Sequence, residues 1–365
     1  MSIKFQSEKI RILITGGAGF IGSCLIKKLL ENKNATIFNL DKVSYTSDFA
    51  QINESKNLEN YNFLKVDICD YKELKYTISE AKPNLIFNLA AESHVDRSID
   101  NSKPFIESNI IGTYNMLEIS KEYWLKLDNS ENKKFRFLHV STDEVFGSLG
   151  KDGLFSESTA YDPRSPYSAS KAASDHLTNA WFHTFNLPVI RTNCSNNFGP
   201  YQFPDKLIPL IITKALDNKE IPIYGDGENI RDWLFVEDHV DALIIAITKG
   251  VIGQKYCIGG NNEKSNLQIV NSICELLDKK QPREKSYKTL IRFVEDRAGH
   301  DKRYAIDSRL IRRDLKWEPK YKFKKGLNLT VDWYLNNQNW CKSTQKSNYK
   351  GERLGLNNFQ NNNEN

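Results

Sequence analysis

The chain has 365 residues, 39% of them hydrophobic and 27% charged, which excludes wholesale disorder and supports one large α/β unit or two closely packed domains. Its net charge of +5 comes from Lys and Arg scattered along the sequence rather than gathered in a stripe, so no nucleic-acid partner is expected, whereas a mildly positive cleft for a small anion is. No apolar run approaches the ~20 residues of a membrane helix, residues 1–9 are polar rather than leader-like, and the six cysteines are dispersed without a CxxC pair; a cytoplasmic protein with reduced thiols and no membrane contact is predicted.

Short apolar runs at Ile10–Thr15, Thr36–Leu40, Phe63–Val66, Leu85–Leu89 and Phe135–Val140 read as strands. Helix-length amphipathic stretches such as Ile21–Glu31 and Tyr71–Glu80 lie between them. This alternation predicts βαβ units in a Rossmann-type, doubly wound parallel sheet buried on both faces. The first strand runs directly into Gly16-Gly-Ala-Gly-Phe-Ile-Gly22. There the glycines allow a tight turn and close approach of a pyrophosphate, and the helix that follows offers it free N–H groups. Gly16, Gly19, Phe20, Ile21 and Gly22 are therefore candidate dinucleotide contacts. Asp41 closes the second strand 19 residues after Gly22, where an acid binds a ribose diol and disfavours a 2′-phosphate, predicting NAD rather than NADP. Lys42 beside it tempers that preference. Asp67 and Ile68, after the third strand, are candidate adenine contacts.

Farther on, Tyr167 and Lys171 stand at i and i+4 on one helix face, and a nearby cation favours the phenolate, so Tyr167 is a candidate base. Ser141-Thr142 ends the preceding strand, at the face where ligands bind in such sheets. Asp143 and Glu144 follow at once. After Leu187–Arg191 the rhythm changes, with Gly199-Pro200, Gly225-Asp226-Gly227 and Gly259-Gly260 punctuating longer loops. A smaller C-terminal substrate-binding α/β domain is predicted, with residues 1–190 mainly cofactor-binding and including the Tyr167/Lys171 helix, and 191–341 mainly substrate-binding. Residues 342–365, rich in Asn, Lys and Ser, are expected to be a flexible tail. The six histidines contain no HExxH and no close pair, so no protein-bound metal is expected.

The Gly-rich turn, the Thr142 position and the YxxxK pattern resemble the extended short-chain dehydrogenase/reductase family. Five blocks are similar to its dTDP-glucose 4,6-dehydratases: Leu89–Ile99, Ser141–Gly147, Asn193–Pro204, Arg231–His239 and Asp296–His300. The similarity runs from about residue 10 to 335. Phe146 and Phe198 stand where the family pattern has Tyr, and Ala298 where it has Pro. The acid pair separates elimination from epimerisation, since loss of water across C5–C6 needs a base for the C5 proton and an acid for the C6 oxygen.

The resemblance implies a hydro-lyase holding a tightly bound NAD that is recycled within each turnover. Tyr167 would take the C4 hydroxyl proton as C4 gives up hydride, Glu144 the C5 proton, and Asp143 would protonate the departing C6 oxygen before hydride returns to C6. Thr142 would hold the C4 oxygen and Lys171 the nicotinamide ribose. The implied cofactor contacts add Ser44, Leu89, Ala90, Ala91, Ser108 and Asn197. The implied substrate contacts are Ser93, Thr142, Asn196, Lys206, Leu207, Pro222, Ile223, Tyr224, Arg231, Asn266, Asp296, Arg297 and His300, with Arg231 and Arg297 suited to a diphosphate. It further implies dTDP-glucose as substrate, a role in deoxysugar synthesis of the dTDP-rhamnose type, and a homodimer built as a four-helix bundle from helices near 105–126 and 166–185. A UDP- or GDP-hexose 4,6-dehydratase, a nucleotide-sugar 4-epimerase and a non-catalytic NAD-binding scaffold are the alternatives.

Overall fold

The computed structural model describes residues 9–297 and 299–348. Twelve strands are described: β1 Ile10–Thr15, β2 Ala35–Leu40, β3 Tyr61–Leu64, β4 Leu85–Asn88, β5 Arg136–Thr142, β6 Val189–Cys194, β7 Asn196–Phe198, β8 Ile221–Tyr224, β9 Ile230–Phe235, β10 Lys255–Ile258, β11 Glu263–Ser265 and β12 Ile291–Val294. Seven of them form one wholly parallel sheet in the order β3-β2-β1-β4-β5-β6-β10. Its central strands read as continuous apolar runs because helices cover both faces; Ile12, Leu13 and Ile14 of β1 are all fully buried. Strand order reverses between β1 and β4, and such a reversal opens a crevice beyond the carboxyl ends of the strands.

The turn after β1 needs its glycines. Gly16 has a φ of +71°, and a Cβ there would lie 2.8 Å from the Ala90 nitrogen after β4. Gly22 passes so close to the turn that its Cβ would meet the Gly16 carbonyl oxygen at 2.3 Å. Helix Phe20–Leu30 starts from Gly19 with no side-chain cap, leaving its first N–H groups open to an anion.

A second lobe holds a three-stranded sheet, β11-β9-β7, and the pair β12-β8. Helices Leu207–Leu216, Asn266–Lys280 and Phe323–Asn336 pack on them around Phe198, Ile208, Trp233, Phe235, Ile269 and Tyr334. The chain crosses between lobes more than once. Helix Val236–Lys249 and β10 return to the first lobe, where Val240, Leu243, Ile247, Tyr256 and Ile258 join the core of the large sheet. A division at 190/191 thus falls within β6, and residues 236–258 lie in space with the first lobe.

The tail expected from residue 342 begins instead as part of helix Gln338–Asn348. Its order has an apolar cause, since Cys341 is buried and Trp340 packs on Tyr201 and Trp333. Residues 349–365 lie outside the described residues. Among the described residues no helix is long and apolar enough to cross a membrane.

Candidate active site

A cleft of about 310 Å³ opens at the carboxyl ends of the parallel strands. Every residue expected to touch the cofactor lines it: Gly16, Gly19, Phe20, Ile21, Gly22, Asp41, Lys42, Ser44, Asp67, Ile68, Leu89 to Ala91, Ser108, Tyr167, Lys171 and Asn197. Asp41 also braces the glycine turn, its Oδ2 accepting from the Ala18 N–H at 3.0 Å and its Oδ1 from the Ser47 hydroxyl at 3.0 Å. Lys42 is neutralised by Glu92 at 2.9 Å and donates to Ser108 at 2.9 Å. Glu92, Thr46, Ser47, Gln202 and Asp205 line the same cleft and were not singled out from sequence. They sit on loops that no strand or helix pattern marks, although Glu92 falls inside the Leu89–Ile99 block and Gln202 inside the Asn193–Pro204 block.

Helix Pro166–Phe185 delivers Tyr167 and Lys171. It starts at a capping box formed by Ser165 and Ser168, with Pro166 in the first turn, and ends at Asn186 in the left-handed conformation. Tyr167 and Lys171 are 8% and 4% exposed. The Lys171 Nζ donates to the Val140 carbonyl of β5 at 2.8 Å. Burial drives the Tyr167 phenol well above its ordinary range, Glu144 and Cys194 push it further up, and a hydrogen bond with Thr142 works the other way. The lowering expected from Lys171 therefore does not set the direction, because the ring is almost wholly desolvated.

β5 ends at Thr142, whose Oγ1 accepts from the Glu144 N–H at 3.2 Å and so starts the turn Asp143–Phe146. Glu144 faces the cleft, whereas Asp143 is 1% exposed and lies behind it with Oδ2 unpartnered. Both carboxyls are raised. Asp143 is driven far up by burial, then by Glu144 and Asp232. Glu144 is raised by burial but held back by Arg297, Arg231 and Lys206. Two neighbouring acids are thereby raised unequally, Asp143 strongly toward a proton donor and Glu144 less, because the Arg and Lys charges oppose its burial.

Of the expected substrate contacts, Ser93, Thr142, Asn196 and Lys206 line the cleft. Leu207, Pro222, Ile223, Tyr224, Arg231, Asn266, Asp296, Arg297 and His300 belong to the second lobe and do not line this cleft. The Arg297 Nη1 donates to Asp96 Oδ1 at 2.9 Å, and the Tyr224 hydroxyl to Asp96 Oδ2 at 3.4 Å, joining the two lobes. His300 is hydrogen-bonded to Asp296 at 2.6 Å. Arg231 lies 4.1 Å over the Tyr304 ring and donates to the Asp301 carbonyl at 2.8 Å. Leu207 opens helix Leu207–Leu216 without a side-chain cap, and Asn266 is the first residue of helix Asn266–Lys280. Ile223 is packed in the second core and offers a ligand only its main chain. Through their fields on Glu144, Arg231, Arg297 and Lys206 tie this half of the site to the reacting end.

The departures from the family pattern also have positions. Phe146 is buried against Phe155 and Tyr161, and Phe198 against Phe235 and Phe323, where an added hydroxyl would need a partner. Ala298 lies outside the described residues.

A family profile described as GDP-mannose 4,6 dehydratase matches residues 13–330. A dTDP-glucose 4,6-dehydratase of Neisseria meningitidis is 51% identical over 350 residues, covering 94% of this chain and 99% of the relative. Among solved structures, the dTDP-glucose 4,6-dehydratase of Bacillus anthracis in complex with NAD is 43% identical, with a TM-score of 0.82 over 92% of this chain and 99% of that one. The Streptomyces venezuelae dTDP-glucose 4,6-dehydratase, also with NAD bound, is 37% identical, with a TM-score of 0.85 over 92% and 100%.

Proposed function

Because the chain belongs to the dTDP-glucose 4,6-dehydratase family within the extended short-chain dehydrogenases/reductases, we propose that it converts dTDP-glucose to dTDP-4-keto-6-deoxyglucose with NAD as a recycled cofactor. The uncapped helix start after Gly19 and the close approach at Gly16 and Gly22 suit a pyrophosphate. Asp41 suits the adenosine ribose, Asp67 and Ile68 the adenine, and Lys171 the nicotinamide ribose. Bound there, NAD would supply the redox chemistry, taking hydride from C4 and returning it at C6.

The chain's own groups supply the proton transfers. Tyr167, in its phenolate form, takes the C4 hydroxyl proton while Thr142 holds that oxygen. The 4-ketone then acidifies the C5–H, which Glu144 removes. Asp143, kept protonated by burial, provides the proton with which the C6 oxygen leaves as water. Reprotonation at C5 completes the turnover. Arg231 and Arg297 hold the diphosphate, and the loops carrying Ser93, Asn196, Lys206 and Leu207 enclose the sugar.

The observation that carries this reading is that Glu144 lines the cleft together with Tyr167 and Lys171 and lies in the field of Arg231 and Arg297, with a second, more strongly raised acid next to it. A 4-epimerase has no use for that pair. The test is incubation with dTDP-glucose, UDP-glucose and GDP-mannose in parallel, followed by the alkaline ultraviolet absorbance of a 4-keto-6-deoxy product. Product from dTDP-glucose in preference to the other two is expected; preference for either of them would overturn the nucleotide assignment.

This reading carries with it a cytoplasmic homodimer. Ile106, Ile111, Tyr114 and Phe185 are exposed apolar residues on the paired segments 103–124 and Pro166–Phe185, and a second copy covering them would complete a four-helix bundle.

A further inference from the structure

Behind the catalytic centre lies a chain of buried polar groups that the proton transfers above do not use. Its hub is Asp175, fully buried two turns beyond Tyr167 on the same helix. One carboxylate oxygen, Oδ2, accepts from the Tyr161 hydroxyl at 2.8 Å and from Asn193 Nδ2 at 3.0 Å. The same Asn193 Nδ2 donates to the Thr142 carbonyl at 3.0 Å. A single amide group therefore joins the Tyr167/Lys171 helix to the last residue of β5, from which Asp143 and Glu144 project. Tyr161, in the loop before the helix, also packs edge-on against Phe146 at 5.3 Å, fixing the far end of the same turn.

The other oxygen, Oδ1, faces His139 Nε2 of β5 at 3.4 Å. The proton positions along this side are determined. The Thr15 hydroxyl donates to Asn88 Oδ1 at 2.8 Å, so Asn88 presents its amide nitrogen to His139 Nδ1 at 3.1 Å. His139 Nδ1 must then accept, leaving the proton on Nε2, which donates to the Ser174 hydroxyl oxygen at 3.2 Å and lies beside Asp175. A neutral imidazole and an ionised carboxylate result. Burial lowers His139 to about 4, while the adjacent His139 ring, the charge of Lys171 and the hydrogen bond from Asn193 outweigh burial and hold Asp175 below its ordinary range. Desolvation pulls Lys171 down, and Asp175 is the first charge opposing it.

We propose that Asp175 is a positioning residue for the dehydration: through Asn193 and Tyr161 it locks the Thr142-Asp143-Glu144 turn against the helix bearing Tyr167 and Lys171, and, one turn along that helix from Lys171, it stands as the buried counter-charge to the ammonium. This inference rests on the proposed activity but concerns different residues. Lys171 faces Asp175 on its own helix and Cys194 on β6. Tyr167 faces Glu144 and Asp143 after β5 and again Cys194. Besides His139, Tyr161 and Asn193, Asp175 also feels Lys255 of β10. Among these, Asp175 is the anion whose removal acts on Lys171 with least change to the cleft itself.

The experiment compares the full-length enzyme with its Asp175→Asn and Asn193→Ser variants, using dTDP-glucose. Asp175→Asn keeps the shape and removes the charge. Its KM should stay within about twofold while kcat falls about tenfold, and the alkaline limb of kcat against pH, set by loss of the Lys171 proton, should move down by about one unit. Asn193→Ser keeps the charge and frees the turn, so kcat should fall about tenfold with the alkaline limb in place. An active wild type with a folded Asp175→Asn variant of unchanged kcat and pH profile would overturn the inference. If Asp175→Asn does not fold, Asn193→Ser decides alone, and full kcat there would equally overturn it. A wild type inactive on every nucleotide sugar would instead defeat the proposed activity.

Discussion

Asp143 lies beneath Glu144 with one carboxylate oxygen unpartnered, and its carboxyl is raised first by desolvation and then by Glu144 and Asp232. Raising a carboxyl on folding means that the folded chain binds that proton more tightly than the unfolded chain. The stability associated with it is complete below the unfolded value of 3.8 and is lost as pH rises from there toward the raised folded value. Asp143→Asn removes the ionisation and should raise the melting temperature, with a gain that is absent near pH 3.8 and grows through neutrality. Melting curves at several pH values check this, and a gain that does not vary with pH would contradict it. The same variant should lose elimination, so the acid is held at the expense of stability, as strained or desolvated active-site groups often are. Glu144 answers to a different measurement. Glu144→Gln should still oxidise C4, seen as reduced nicotinamide absorbance, but should not exchange the C5 proton with solvent; normal exchange would remove Glu144 from the role of base.

At the scale of elements, the glycine turn makes the sharpest demand. A Cβ on Gly22 would meet backbone, the Gly16 carbonyl oxygen, at 2.3 Å, and no side-chain rotation relieves that. Gly22→Ala should therefore displace the turn and weaken NAD binding by at least about tenfold, read by titrating NAD into apo-enzyme; unaltered affinity would show that the turn is looser than its contacts. This element was legible in the sequence because strand, glycine spacing and helix are consecutive, and β1 runs from Ile10 to Thr15 as the apolar run predicts. The Tyr167/Lys171 face was legible for the same reason, being set by helical spacing. What spacing does not carry is burial, and so the direction of the Tyr167 shift was missed. Nor does it carry contacts distant in sequence. Asp96 and Arg297 meet across 201 residues, and β10 returns to the large sheet after the βαβ alternation has ended. The substrate half of the site was therefore reached by resemblance, whereas the glycine turn, Asp41, Asp67 and Ile68 of the cofactor half followed from local chemistry, and Ser44, Leu89 to Ala91, Ser108 and Asn197 again from resemblance.

Taken as a whole molecule, the fold must hold NAD through both hydride transfers, since the cofactor ends each turnover as it began. Two walls of its cleft are loops, residues 44–47 and 201–203. Both are tied to the C-terminal part of the chain. The Trp340 indole N–H donates to Asp48 Oδ2 at 2.6 Å, across 292 residues, and the Asp48 N–H reaches back to the Ala18 carbonyl in the glycine turn at 2.8 Å. In the second loop Tyr201 packs on Trp333 at 4.3 Å and meets Trp340 at 5.9 Å, while the Tyr334 hydroxyl donates to the Gln202 carbonyl. Helices Phe323–Asn336 and Gln338–Asn348 thus fasten both sides of the cofactor cleft from outside it. Trp340→Ala removes the indole donor and part of the aromatic stack while touching no group that reacts. Because Trp340 is only half-buried, the loss should be about 2 kcal/mol, below the range for a fully buried Trp. It should appear as a melting temperature lower by a few degrees and as NAD lost on desalting that the wild type retains. With NAD added in excess, kcat should recover to near the wild-type value, because the catalytic groups stay in place. Full NAD retention after desalting would show that the clasp stabilises the fold without closing the site, and a kcat that excess NAD fails to restore would place its effect on the chemistry instead.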